Sequence, residues 1–186
     1  MFYLISASAI LIVLATLSIA TLQFILLVDV VFGGHDFPTS RNGIKEVSKI
    51  LVEFKKNTGI FYDLGSARGD FIVTLLKYSP SLQAFGVDNN RLRIFFAKGL
   101  SFLWRRPVHF LHGDIFSTNV SLADTVYIYL DISLMESLEK KLFEELKSGA
   151  MVITNTQSFP NWQPVKVYIT SPKKPEYEKM FVYVKS

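Results

Sequence analysis

Apolar and polar positions divide the chain in two before any motif is considered. From Met1 to Val28 no residue is charged, and Gln23 is the one strongly polar side chain. As a helix rising about 1.5 Å per residue, that run exceeds a hydrocarbon core of about 30 Å. Its Leu, Ile, Val and Ala background is interspersed with Ser6, Ala7, Ser8, Ala15 and Ser18, and predicts one transmembrane helix. A cleaved secretory signal would carry a basic n-region and a shorter apolar core. A mitochondrial presequence would need arginines, and none precedes Arg41. A buried core helix is the remaining alternative.

Gly33-Gly34 reads as a hinge, so residues 1–34 are expected to form the anchor and 35–186 one domain, long enough for its own core. There the periodicity alternates. Ile44, Val47, Ile50, Leu51 and Phe54 recur at helical spacing, with Thr39 or Ser40 as the cap. Short apolar runs predict strands over 60–64, 82–87, 108–111, 125–130 and 150–155. Helices are expected between them over 71–78, 90–104 and 133–147, the last stopped by Gly149. Two alternating segments, 165–169 and 180–184, flank the turn-forming Ser171-Pro-Lys-Lys-Pro175. The order implies an α/β fold with a Rossmann-like, mainly parallel seven-strand sheet and an antiparallel C-terminal hairpin.

Charge sharpens that division. All 20 Lys and Arg residues follow position 40, beside 14 acidic ones, which gives 41–186 a net charge of +6. The mean hydropathy of +0.29 is thus an average over a charge-free segment and a basic domain. The basic side is expected to face the cytoplasm or a matrix-like compartment, with the N-terminus outside. The chain has no cysteine, which excludes disulfides, Cys-ligated metals and a thiol nucleophile. His35, His109 and His112 lack metal-ligand spacing, and no metal is expected.

The chemistry is concentrated where the first strand meets its helix, in Asp63-Leu-Gly-Ser-Ala-Arg-Gly-Asp70. Ligands of open α/β sheets bind just beyond the strand C-termini, and small residues there let the backbone approach them. A nicotinamide or flavin fingerprint would place glycine at 65, 67 and 70, but the chain has Gly65, Ala67 and Asp70. No Gly-Lys-Ser/Thr follows, so this is not a Walker A loop. An acid followed by Gly-x-Gly-x-Gly spacing is the pattern of an S-adenosyl-L-methionine (SAM) turn. Asp88 ends the second strand, where a carboxylate can accept ribose hydroxyls. Asp114 ends the third, where it can accept from an adenine amino group.

On these residues the chain resembles the class I, seven-strand SAM-dependent methyltransferases. More narrowly, it resembles the membrane-anchored protein-lysine methyltransferases of the ATP synthase c-subunit lysine methyltransferase group. Phe37-Pro-Thr-Ser40, Phe61-Tyr-Asp-Leu-Gly-Ser66, Gly86-Val-Asp-Asn89, Leu138-Glu-Lys-Lys-Leu142 and Phe159-Pro-Asn-Trp-Gln-Pro164 carry that likeness. It implies that Asp63, Gly65, Ser66, Ala67 and Gly69 line the methionine end of the cofactor, with Thr39 near its carboxylate. Asp88 with Asn89 would hold the ribose, and Asp114 with Ile115 would flank the adenine. Two departures stand out. Ala67 replaces the middle glycine, and Arg68 with Asp70 reverses the usual acidic-then-basic order.

The acceptor is expected after the fourth strand, in Tyr127-Ile-Tyr-Leu-Asp131-Ile-Ser133. The Asn/Asp-Pro-Pro-Tyr of adenine- and glutamine-directed enzymes is absent there. Asp131 would orient an incoming ammonium, and Phe159 with Trp162 would wall an apolar channel that favours the neutral amine. A plainer reading makes Asp131 a helix cap and packs Trp162 on the sheet edge. The expected partners are the lipid bilayer, through residues 1–30, and a membrane-associated protein with a lysine acceptor. A lipid acceptor, or a non-catalytic SAM-binding module, remains open. The acid-free stretch with Arg91, Arg93, Lys98, Arg105 and Arg106 is interleaved with Phe95, Phe96, Phe102 and Trp104. It suits nucleic acid or anionic headgroups, with the lipid favoured by the tether. The plainest expectation is that the aromatics pack on the sheet while the charges are solvated.

Overall fold

A computed structural model describes residues 2–32, 38–170 and 178–186. The chain divides into two compact units, Met1–Asp36 and Phe37–Ser186. The Gly33-Gly34 hinge and the 171–175 turn lie outside the described residues.

The first unit is helix α1 (Phe2–Phe32). Within it Ala7–Ile25 has a mean hydropathy of 2.2 and no buried residue, and is long and apolar enough to cross a membrane. Thr16, Ser18 and Thr21 turn their hydroxyls back onto carbonyls one turn earlier, so these polar groups are satisfied within the helix.

The second unit holds α2 (Arg41–Glu53), β1 (Gly59–Leu64), α3 (Asp70–Leu75), β2 (Leu82–Asp88), α4 (Arg91–Leu103) and β3 (Val108–His112). After these come β4 (Thr125–Ile128), a 3-10 turn (Ile132–Leu134), α5 (Met135–Glu145), β5 (Met151–Asn155), β6 (Lys166–Ile169) and β7 (Lys179–Val184). The sheet order is β3-β2-β1-β4-β5-β7-β6. The first five strands run parallel, and β7 pairs antiparallel with both β5 and β6. The expected seven-strand topology is thus borne out. Strand order reverses between β1 and β4, which opens a crevice at their C-terminal ends.

Helices α2, α3 and α4 cover one face through Val47, Ile50, Leu51, Ile72, Leu75 and Ala97, all fully buried. On the other face α5 inserts Met135, Leu138 and Leu142 against Val126, Ile128 and Val152. Each fully buried Val, Leu, Ile or Met side chain contributes about 1.5–3 kcal/mol through surface removed from water.

Three boundaries differ from expectation. Strand β4 ends at Ile128 rather than 130, because its partner β1 stops at Leu64 and Gly65 then turns away at φ +83°. Helix α3 ends at Leu75, and a turn closes over Lys77 and Tyr78 ahead of Pro80, which disfavours helix at Ser79. The 133–147 helix becomes a 3-10 turn capped by Asp131 followed by α5, which ends at Glu145 because Leu146 is already extended.

Candidate functional site

Asp63, Asp88 and Asp114 converge through backbone bonds at the C-terminal ends of β1, β2 and β3. Gly65 and Ser66 both donate their N–H to the Val87 carbonyl, at 2.8 and 2.9 Å, which lays the glycine turn against β2. A side chain at Gly65 would meet Leu130 at 2.6 Å, and Gly69, at φ +80°, is the N-cap of α3. Ala67 occupies the left-handed region as well, at φ +46°, a conformation glycine adopts without penalty.

Asp88 is the clasp of this turn. Its carboxylate accepts from Ala67 N–H at 3.0 Å and from Asn90 N–H at 2.9 Å. Gly113 N–H bonds the Asp88 carbonyl at 3.0 Å, which brings the β3 end alongside. Asn89 is exposed, and its carbonyl meets His112 Nε2 at 3.0 Å. Asp114 is exposed and closes a local turn by accepting from Phe116 N–H, while Ile115 is half-buried against the α5-side core.

Asp63 differs from both. It is 3% exposed, and no hydrogen bond reaches its carboxyl from the described residues. Burial, reinforced by the nearby Asp88 charge, pushes that carboxyl well above the usual carboxylate range. Ser66 Oγ, three residues on in the turn, is also buried without a partner. Two buried polar groups with unmet demands therefore border a loop shaped for close approach.

Next to the turn, on the β4 side, lies a polar network that sequence reasoning largely missed. Ser40, not Thr39, caps α2, its hydroxyl accepting from Gly43 N–H at 2.9 Å. Thr39 is free to reach Tyr127, with 2.7 Å between their hydroxyl oxygens. Asn155 at the end of β5 donates to Tyr127 OH at 3.0 Å and to Glu178 Oε1 at 3.1 Å. Tyr127 is buried and stacked on Phe71, with ring centroids 3.9 Å apart.

Glu178 collects the rest. It accepts from Ser40 N–H and hydroxyl at 3.1 and 2.5 Å and from Thr170 Oγ1 at 2.8 Å. Burial alone would raise this carboxyl, but the bonds from Ser40, Thr170 and Asn155 hold it below its usual range. The amide at the end of the fifth strand was the one signal visible in sequence. Glu178 reaches the site only through the β7 pairing.

Asp131 caps the 3-10 turn, accepting from Ser133 N–H at 2.9 Å. The Ser133 hydroxyl and N–H hold its exposed carboxyl below the usual range. Phe159 and Trp162 are stacked at 5.8 Å, and both pack on Tyr183 in the α5-side layer. The structure therefore joins Asp63, Gly65, Ser66, Ala67, Gly69, Asp88, Asn89, Asp114 and Ile115. Thr39 sits with Tyr127, and Asp131, Phe159 and Trp162 have separate local partners.

A family model described as the ANTKMT methyltransferase domain matches residues 63–166, more than half of the chain. The chain belongs to this family. The ATP synthase c-subunit lysine N-methyltransferase of Xenopus laevis is 31% identical over 135 residues, covering 70% of this chain and 57% of that protein. A protein-lysine N-methyltransferase of Saccharolobus islandicus is 31% identical over 129 residues, covering 66% and 79%. The chain spans about half the length of the vertebrate relatives it matches. An RNA methyltransferase of Salinibacter ruber, solved with S-adenosyl-L-homocysteine, superposes with a TM-score of 0.68 at 22% identity. That match covers 80% of this chain and 93% of the other, and shows a shared fold. The resemblance read from the motifs thus holds, and its matched region begins at Asp63 itself.

Proposed function

We propose that the chain is a membrane-anchored SAM-dependent methyltransferase that modifies a lysine of a membrane-associated protein. The observation that carries this reading is Asp63. A buried carboxyl with no donor, set against a loop of left-handed residues, fits the ammonium of a cofactor's methionine end. An incoming cation would offset both the burial and the repulsion from Asp88. Gly65, Ser66, Ala67 and Gly69 would line the same end, and Thr39 its carboxylate. Each Asp88 oxygen keeps a lone pair beyond its backbone bond, and these suit ribose hydroxyls, with Asn89 alongside. Asp114 and Ile115 would flank the adenine.

Bound here, SAM would supply a sulfonium-borne methyl open to in-line displacement by an amine. The chain's own task is alignment and exclusion of water. A lysine must arrive neutral, so no dedicated base is needed where the approach is apolar. Asp131, kept ionised by its cap, would orient the ammonium before its proton leaves. The names of the frog and archaeal relatives support lysine as the acceptor. The Ala7–Ile25 helix supports the anchor, and the basic residues after it support a cytoplasmic or matrix-like orientation.

The test uses the full chain in membranes with methyl-labelled SAM. Label recovered as methyllysine supports the reading, and label in the lipid fraction overturns the acceptor assignment. Calorimetry separates binding from transfer, because a folded chain that takes up no SAM would sink the enzyme reading altogether. Asp88→Asn keeps a side-chain acceptor for the turn but loses the charge, and should weaken SAM binding markedly.

A further inference from the structure

Helix α4 does not behave as its sequence suggested. Its packing face is Arg93, Ile94, Ala97 and Ser101, and Phe95 and Phe102, expected on the sheet, are exposed instead while Phe96 is half-buried. Phe102 is 87% exposed, Leu103 76% and Phe95 70%, with Trp104 and Leu92 also exposed. Positions 92, 95, 99, 102 and 103 recur at three- and four-residue steps, so they share one helix face. Gly99 lies within that face, and a side chain built on it would meet nothing within 4 Å. Within the Phe37–Ser186 unit no described residue covers this strip.

The rim of the strip is cationic. Arg91, Lys98 and Arg105 are exposed, and Lys77 stands 3.8 Å over the Trp104 ring. No acidic residue occurs between Asp88 and Asp114. Arg105 takes φ +50° as α4 ends, and Arg106 N–H returns to the Ser101 carbonyl at 3.0 Å. The helix stop thereby fixes Arg105 next to the exposed Leu103 and Trp104.

We infer that the outer face of α4 docks on an anionic bilayer surface, as a second membrane contact distinct from α1. Leu and Phe on one helix face, with Trp at its C-terminal end and flanking Lys and Arg, is the composition that lies in the headgroup boundary. Leu92 and Leu103 need hydrocarbon, Trp104 suits the interface, and the cations meet lipid phosphates. A second copy of the chain fits less well, because a symmetric pair would bring two cationic rims together. Nucleic acid would match the charges but leave both leucines and the edge of Phe102 in water. A membrane-tethered domain meets the lipid surface at high effective concentration, so modest docking energy suffices.

The absence of cysteine makes the test direct. Phe102→Cys and, on the opposite layer, Glu144→Cys each accept one environment-sensitive fluorophore in the full chain. Each labelled chain is reconstituted in phosphatidylcholine vesicles with and without phosphatidylglycerol. At position 102 the emission should shift to the blue in anionic vesicles and be quenched by brominated acyl chains. Both effects should fade at high salt, and position 144 should report water throughout. Neutralising Lys98 or Arg105 with glutamine should lower the docking equilibrium constant about fivefold per charge.

A label at 102 that stays in water in both vesicle types overturns the proposal. So does a shift that follows the protein-to-lipid ratio, which would indicate a second copy, or a shift produced by an RNA oligonucleotide without lipid. Carbonate extraction reports α1 separately. Chain released by carbonate would refute the anchor while leaving the α4 result to decide its own question.

Discussion

Two buried carboxyls, Asp63 and Glu178, lie in the same crevice region and are treated in opposite ways. Glu178 accepts four hydrogen bonds, from Ser40 N–H, Ser40 Oγ, Asn155 and Thr170, and is held below its usual pKa range. Asp63 receives none from the described residues and is pushed well above that range. The first is a lock joining the start of α2 to β5 and β7. The second is an unmet demand for positive charge. Burial alone does not separate these two carboxyls, whereas the count of donors does.

The largest effect should come from breaking the lock. Glu178→Ala leaves the Ser40 N–H, the Asn155 amide and the Thr170 hydroxyl without their acceptor. We expect a loss of about 3 kcal/mol, since each unsatisfied buried donor costs about 1–3 kcal/mol. Glu178→Gln should recover part of it. Thermal unfolding of the full chain in mild detergent, followed by near-UV circular dichroism, measures both. A loss below that of an exposed control substitution would show that the network is not a lock.

Asp63→Asn should produce the opposite pairing of effects. The amide keeps the size, removes the penalty of a buried charge and ends the repulsion from Asp88. The fold should become more stable while SAM affinity falls about 10- to 100-fold, the worth of one hydrogen bond to a charged group. Calorimetric titration decides it. Unchanged affinity would refute the ammonium assignment.

The two carboxyls should also differ in sign against pH. Asp63 has a raised folded pKa, so the folded state binds the extra proton. Its contribution is complete below about pH 4 and is lost as pH rises through the folded value. Glu178 has a lowered folded pKa, so its contribution is present above about pH 4 and lost as pH falls through the folded value. Each pH unit between folded and unfolded values is worth about 1.4 kcal/mol. Melting curves of Asp63→Asn and Glu178→Gln against the parent chain should therefore diverge in opposite directions above pH 4. Parallel curves would remove the contrast.

The acid trio could be read in sequence because each acid ends a strand, and strand ends are visible as breaks in apolar runs. The parallel order and the glycine turn followed from the same breaks. The lock was hidden because it depends on long-range partners. Glu178 lies 138 residues from Ser40, and only the β5–β7 pairing brings it near. The sequence offers Thr39 two roles, helix cap or cofactor contact, and the structure divides them by giving Ser40 the cap. The outer face of α4 is illegible for a similar reason. None of its aromatics is buried, and composition does not say that Ile94 and Ala97 take the inward positions.

Ala67 tests the Asp63 side of the comparison most gently. Its φ of +46° places an alanine where a side chain is disfavoured by about 1 kcal/mol, in the loop clasped by Asp88. Ala67→Gly removes that penalty but adds backbone freedom to the unfolded chain, worth about 0.4–1 kcal/mol in the other direction. The two nearly cancel, so the melting temperature should move by no more than about 2 °C. SAM affinity should rise modestly if the alanine methyl crowds the methionine end, because the loop then closes without strain. An affinity equal to that of the parent would mean that the turn already accommodates the methyl group. Asp63, rather than loop width, would then be what governs the cofactor's methionine end.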